Sequence, residues 1–102
     1  MSIQIGNYTF EGPYFSTNFL ENRSGIYAIH DFYNGKYYPI DVGESAQVKT
    51  RVKTHDRRDC WIQNSNGTLA YSVYYTPNLQ QSGRMRIEQE IRNTYDYPCG
   101  QR

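Results

Sequence analysis

Arg51 and His55, an arginine and a histidine four residues apart, are the first residues in this chain whose placement asks for a chemical reason. The segment from Ser45 to about Thr54 or beyond reads as a helix, with Ser45 as its cap and Val48 and Val52 as an i, i+4 apolar seam. At about 100° per residue, Arg51 falls roughly 60° and His55 roughly 20° from Val48, so both share the apolar side while Lys49 and Lys53 fall opposite. A guanidinium on an inward side must meet a carboxylate or an anionic ligand such as phosphate, because its charge cannot stay unpaired away from water. A histidine there is either a satisfied packing ring or a proton-transfer group. A second exception follows in a predicted helix from about Gly83 to Tyr95, whose apolar line is Ile87, Ile91 and Tyr95 and whose end is marked by Pro98. Glu88 lies roughly 60° from that line, with Arg84 and Arg92 one turn to either side, whereas Glu90 is about 100° away and can pair with Arg86. A carboxylate at such an edge is neutralised by those arginines or binds a cation.

Charge distribution supports an anionic partner more than the total does. The formal net charge is +1, but residues 1–48 carry two basic and five acidic side chains, while residues 49–102 carry nine basic and five acidic. Lys49, Arg51, Lys53, Arg57 and Arg58 stand inside one ten-residue stretch with Asp56 as the single acid, a cluster that can neutralise phosphates or simply form a solvated face. At 102 residues, 37% hydrophobic and 21% charged, the chain reads as one folding domain and not as a disordered tail. Eleven tyrosines serve most simply as packing bodies with polar tips. No apolar run approaches the ~18 residues of a membrane span, and residues 1–20 lack a signal-peptide pattern. Cys60 and Cys99 are too few for a disulfide framework and lack metal-site spacing, so a reducing cytoplasm is the expected home.

The elements that must position these residues follow from pattern. Residues 1–23 read as an extension, with a short strand or hairpin around Ile3–Phe10 and a loop with one helical turn over 13–24. Ile26–His30 and Lys36–Val42 form a hairpin across Asn34–Gly35, with Pro39 implying a bulge or an unpaired side. After a turn at Asn66–Gly67, residues 68–75 alternate Leu69, Tyr71, Val73 and Tyr75 on one face of a third strand. The order predicts an α+β fold, a small mainly antiparallel three-stranded sheet with packed helices.

Residues 24–98 resemble the GIY-YIG nuclease family. Gly25-Ile26-Tyr27 reproduces its first motif on the first hairpin strand, and Asp41-Val42-Gly43 matches its second with the glycine kept and the tyrosine replaced. Arg51 follows Gly43 by eight positions and His55 follows Arg51 by four, while the segment Arg86–Arg92, with Tyr95 and Pro98 behind it, is similar to the family's glutamate helix and selects Glu88. Gly100 stands roughly where the family has an asparagine. The resemblance implies a metal-dependent endonuclease hydrolysing phosphodiester bonds in DNA, or in RNA. In it Glu88 ligates a single Mg²⁺ or Mn²⁺, Arg51 stabilises phosphoryl charge, Tyr27 deprotonates or orients water, and His55 shares proton transfer or holds Tyr27. Asp41 then either repels the backbone phosphates or becomes a second metal ligand. Lys49, Lys53, Arg57 and Arg58 would form the electrostatic footprint on nucleic acid, with specificity drawn from the domain, a homodimer partner or a separate protein. The alternative is a nucleic-acid-binding or regulatory module on the same fold with weakened catalysis.

Overall fold

The computed structural model describes residues 1–100. Five strands, β1 (Ser2–Ile5), β2 (Tyr8–Tyr14), β3 (Gly25–Tyr33), β4 (Lys36–Ser45) and β5 (Thr68–Tyr75), build one antiparallel sheet in the order β1-β2-β5-β3-β4. The α+β class is as expected, and the three-stranded sheet is corrected to five strands. The extension supplies the extra pair because Ile5 and Phe10 are apolar enough to enter the core beside Ile26 and Ala28, which draws β2 onto β5. A 3-10 turn at Thr17–Phe19 then leads back towards β3.

Asn34 and Gly35 both take positive φ, 53° and 77°, as a two-residue hairpin turn requires. Along this hairpin Ile29 pairs with Asp41 but His30 pairs with Pro39, so Ile40 is the extra residue of a bulge next to the strand's missing donor. The bulge decides which β4 side chains share a face with β3 further along. Tyr27, Ile29 and Val73 point to one side and pack with Val48, Val52 and Trp61; Ile26, Ala28 and Val42 point to the other and pack with Ile87 and Ile91.

Three helices cover these faces: α1 (Val48–Lys53), α2 (Arg58–Gln63) and α3 (Gln81–Thr94). The single helix expected from Ser45 is divided. Ser45 Oγ accepts from Gln47 N at 2.9 Å in a turn before α1, and Thr54 closes the helix, its hydroxyl donating to Thr50 O at 2.8 Å. His55 therefore lies in the turn between α1 and α2, not on a helix face. Sequence periodicity missed α2 because Trp61 is its one buried residue. Tyr95, assigned to the apolar line of the last helix, sits just beyond its end and is exposed.

Cys60 and Cys99, expected to be too few for a disulfide framework, form one disulfide across a sequence separation of 39 residues. Burial of Trp61 sets α2 against β4, and the segment after α3 returns along the same edge, where Cys99 N donates to Ile40 O at 3.1 Å. Among the described residues, no helix is long and apolar enough to cross a membrane.

Candidate active site

Strand β3 carries Tyr27 inward, and its hydroxyl meets Nε2 of His55 at 2.6 Å. The tautomer is fixed from the other side of the ring: the backbone N–H of Arg57 donates to His55 Nδ1 at 3.0 Å, so Nε2 bears the hydrogen and donates to Tyr27 Oη. Asp56 Oδ1 is also 3.2 Å from Nδ1, a charge pair for a protonated ring only. Burial, and then the charges of Arg51 and Arg57, push the His55 pKa down to about 4, so the neutral form prevails at neutral pH. Burial likewise pushes the Tyr27 phenol up to about 12, against the pull of Arg57 and Arg51. Tyr27 is thus a protonated phenol that receives hydrogen bonds from His55 and Arg51 and has its own O–H to give.

Gly43 explains itself here. It pairs with Tyr27 across the hairpin, and a Cβ at this position would run into the Tyr27 hydroxyl and ring. The glycine of the second motif therefore makes room for the phenol of the first. Arg51 sits beside this pair but is not the buried guanidinium that the wheel predicted. Its side chain is 41% exposed, bridges to the exposed Asp56 at 3.1 Å and also hydrogen-bonds the Tyr27 phenol.

Asp41 is fully buried and saturated. It accepts from Arg57 Nε at 2.8 Å, Arg92 Nη2 at 2.7 Å, the Trp61 indole at 2.7 Å and its neighbour Val42 N at 2.8 Å. Placed this way, it neither repels an approaching phosphate nor has a lone pair to spare for a metal. It also removes Arg57 from the expected nucleic-acid footprint, leaving Lys53 and Arg58 exposed and Lys49 half-buried. Gly100, in the left-handed region at φ 74°, borders the same network, and a Cβ there would collide with Arg92, Asp41 and Arg57.

Glu88 projects from α3 and is 2% exposed, with Arg92 Nε donating to its Oε2 at 3.0 Å. Arg84, the other flanking arginine, turns instead to Glu44 at 2.9 Å. Arg92 extends around the β4 edge, donating also to Val42 O and Cys99 O, and so links Glu88 to Asp41. The structure brings Tyr27, His55, Arg51 and Gly43 together directly. Glu88 is linked to them through Arg92, Asp41 and Arg57, and α3 packs on the face opposite Tyr27. Sequence reasoning missed Trp61 and the pairing of Arg57 and Arg92 with Asp41, whereas the pairing of Arg92 with Glu88 is one of the two outcomes it offered. The available signal was Asp41 itself, an acid between Ile40 and Val42 in a strand, which must find cations when it is buried.

Among the described residues no cluster of three or more His, Cys, Asp or Glu converges. By donor type Glu88 suits a hard divalent ion, but its carboxylate is buried and held by Arg92, and the flanking Arg84 and Arg92 are themselves engaged by Glu44, Glu88 and Asp41. No family model, curated protein or solved structure matches this chain.

Proposed function

We propose that this protein is a divalent-metal-dependent phosphodiesterase acting on nucleic acid, DNA ahead of RNA. The observation that supports it most is the Tyr27–His55 hydrogen bond of 2.6 Å, seated over a glycine that leaves room for the phenol and placed beside a half-exposed arginine. Arg51 exchanges its exposed partner Asp56 for a non-bridging phosphate oxygen, a bidentate match for its planar donors. His55 holds Tyr27 Oη through Nε2–H, so the phenol proton points away from the ring and can orient a water or a phosphate oxygen. With its pKa near 12, Tyr27 acts as a donor and positioner at neutral pH, not as a base. Glu88, which lies off the face opposite Tyr27 and is paired with Arg92, is the residue that would hold Mg²⁺ or Mn²⁺ on release from Arg92, and the metal would supply neutralisation of phosphoryl charge and activation of coordinated water. Lys49, Lys53 and Arg58 guide the backbone electrostatically, and specificity comes from a homodimer partner or a separate protein.

A second reading is a nucleic-acid-binding module on the same fold, favoured by the burial of Glu88 against Arg92. One experiment separates the two: labelled single-stranded, duplex and branched DNA and RNA are incubated with Mg²⁺, Mn²⁺ or EDTA. The enzyme reading expects metal-dependent cleavage that falls at least about 100-fold in both Glu88→Gln and Tyr27→Phe, with the unfolding midpoint of each close to the parent's. Salt-sensitive binding without cleavage in any arm would establish the binding module instead.

A further inference from the structure

A cavity of about 130 Å³, open to solvent on one side, lies between β1, the bulged part of the β3–β4 hairpin and the segment after α3, lined by Ile3, Ile5, His30, Tyr37, Pro39 and Tyr97, with Gln4 and Tyr95 at its margin. It lies off the opposite sheet face from Tyr27 and His55, since His30 follows the alternation of Ile26 and Ala28 and Ile5 and Tyr97 belong to that second core. Most polar groups around it are committed. The Tyr95 hydroxyl accepts from Gly6 N at 2.9 Å, and the Gln4 amide is held by Thr9 Oγ1 and Gly6 O. His30 differs. It is 5% exposed, its Nε2 meets Ser72 Oγ at 2.7 Å, and its Nδ1 takes no hydrogen bond from any described residue. Thr76 Oγ1 is the one fully enclosed side-chain polar atom without a partner among the described residues, so Nδ1 reaches solvent, and the cavity is what His30 lines.

We propose that this cavity binds a single-ring nitrogen heterocycle of the pyrimidine type, recognised by aromatic walls and by the His30–Ser72 pair. Size favours a single ring: the space is slightly smaller than the roughly 150 Å³ that encloses benzene and is open on one side, so a six-membered ring fills it with one edge exposed, whereas a fused purine leaves a whole ring outside. Tyr37 and Tyr97 offer ring faces and edges, and Ile3, Ile5 and Pro39 offer apolar contact. Chemistry decides for a heterocycle over a hydrocarbon. The Ser72 hydroxyl can donate to Nε2, making Nδ1 a donor, or accept from it, making Nδ1 an acceptor. That adjustable edge matches the mixed donors and acceptors of a pyrimidine. Burial keeps the ring neutral, with its pKa pushed down to about 4, so both tautomers are open at neutral pH.

The ligand is either a free nucleoside or an unpaired base of a strand, and the proposal stands whether or not the chain cleaves nucleic acid. Protein with ¹⁵N-labelled histidine is titrated with uridine, cytidine and adenosine to about 10 mM, and with a short pyrimidine oligonucleotide and its abasic counterpart. The expected result is a saturable shift of the His30 ring nitrogens with both pyrimidine nucleosides, and binding of adenosine at least about tenfold weaker. Ile3→Phe, which fills the cavity from a half-buried position, should remove the shift while leaving the His55 resonances in place. Tighter binding of the pyrimidine oligonucleotide than of the nucleosides, lost in the abasic strand, would identify a strand as the source; the reverse would identify the free nucleoside. Absence of a saturable His30 shift with every ligand on the parent protein, or equal affinity for adenosine, would overturn the proposal.

Discussion

Asp41 shows how much one substitution can reorganise. In the motif it resembles, this position holds a phenol; here a carboxylate with no exposure draws in Arg57, Arg92 and Trp61. Asp41→Asn keeps the volume and removes the counter-charge of two guanidiniums. It is expected to lower the unfolding free energy by about 3–5 kcal/mol, the range for breaking a buried ion pair on one side, as read from urea denaturation. A stable variant with weakened Mg²⁺ binding would make Asp41 a ligand after all. The same reasoning makes Glu88→Gln a better probe than Glu88→Ala, since the amide can still accept from Arg92. At this scale the sequence marked Glu88 as a carboxylate at the edge of a buried face and offered two arginines for it. It could not say that Arg92 would take it and Arg84 would leave for Glu44, because that choice depends on which side of α3 faces β4. Arg57 and Arg92 approach Asp41 from 16 and 51 positions away, beyond the reach of any local spacing rule.

The β3–β4 hairpin was legible as an element because its turn chemistry is local: Asn34–Gly35 fixes the connection and Pro39 marks the bulge. Strand β5 was legible because its large residues Leu69, Tyr71, Val73 and Tyr75 recur at every second position, even though Ala70 and Ser72 between them are buried too. The division of α1 from α2 was not, since it depends on His55 being drawn to Tyr27 and on Trp61 finding Asp41, both tertiary contacts. Nor was the disulfide, which closes a loop with a sequence separation of 39 residues. Chain-entropy arithmetic for a loop of that length gives about 4 kcal/mol as an upper figure. Cys99→Ser is expected to lower stability by about 2–4 kcal/mol in chemical denaturation, and titration of the native parent should find no reactive thiol. Two titratable thiols in the folded protein, with stability unmoved by Cys99→Ser, would contradict the bond.

For the whole molecule, pH acts through two buried histidines on opposite sides of the sheet. Burial pushes His30 and His55 down to about 4 from 6.5, and Arg51 and Arg57 add to the shift of His55. Between these values the unfolded chain binds more protons than the folded one, so stability is complete above about pH 6.5 and falls as pH drops towards 4. Each ring contributes up to about 3 kcal/mol by that linkage. Asp31 extends the trend to lower pH, since bonds from Asn66, Ser65 and Gly67 outweigh its burial and hold its pKa below the ordinary value. Urea midpoints measured at pH 7.5, 5.5 and 4.5 should fall in that order; a midpoint that rises on acidification would refute the assignment. A different property follows from how the chain ends its run along β4. That ten-residue strand is the outer member of the sheet, and two of its carbonyls, at Ile40 and Val42, are taken by Cys99 and Arg92. An outer strand with open carbonyls is a template for another copy to extend. Ending the chain at Pro98 removes both the Cys99 donor and the anchoring disulfide. Sedimentation of that variant should show concentration-dependent self-association absent from the parent, which would make Cys99 and its disulfide a guard against aggregation.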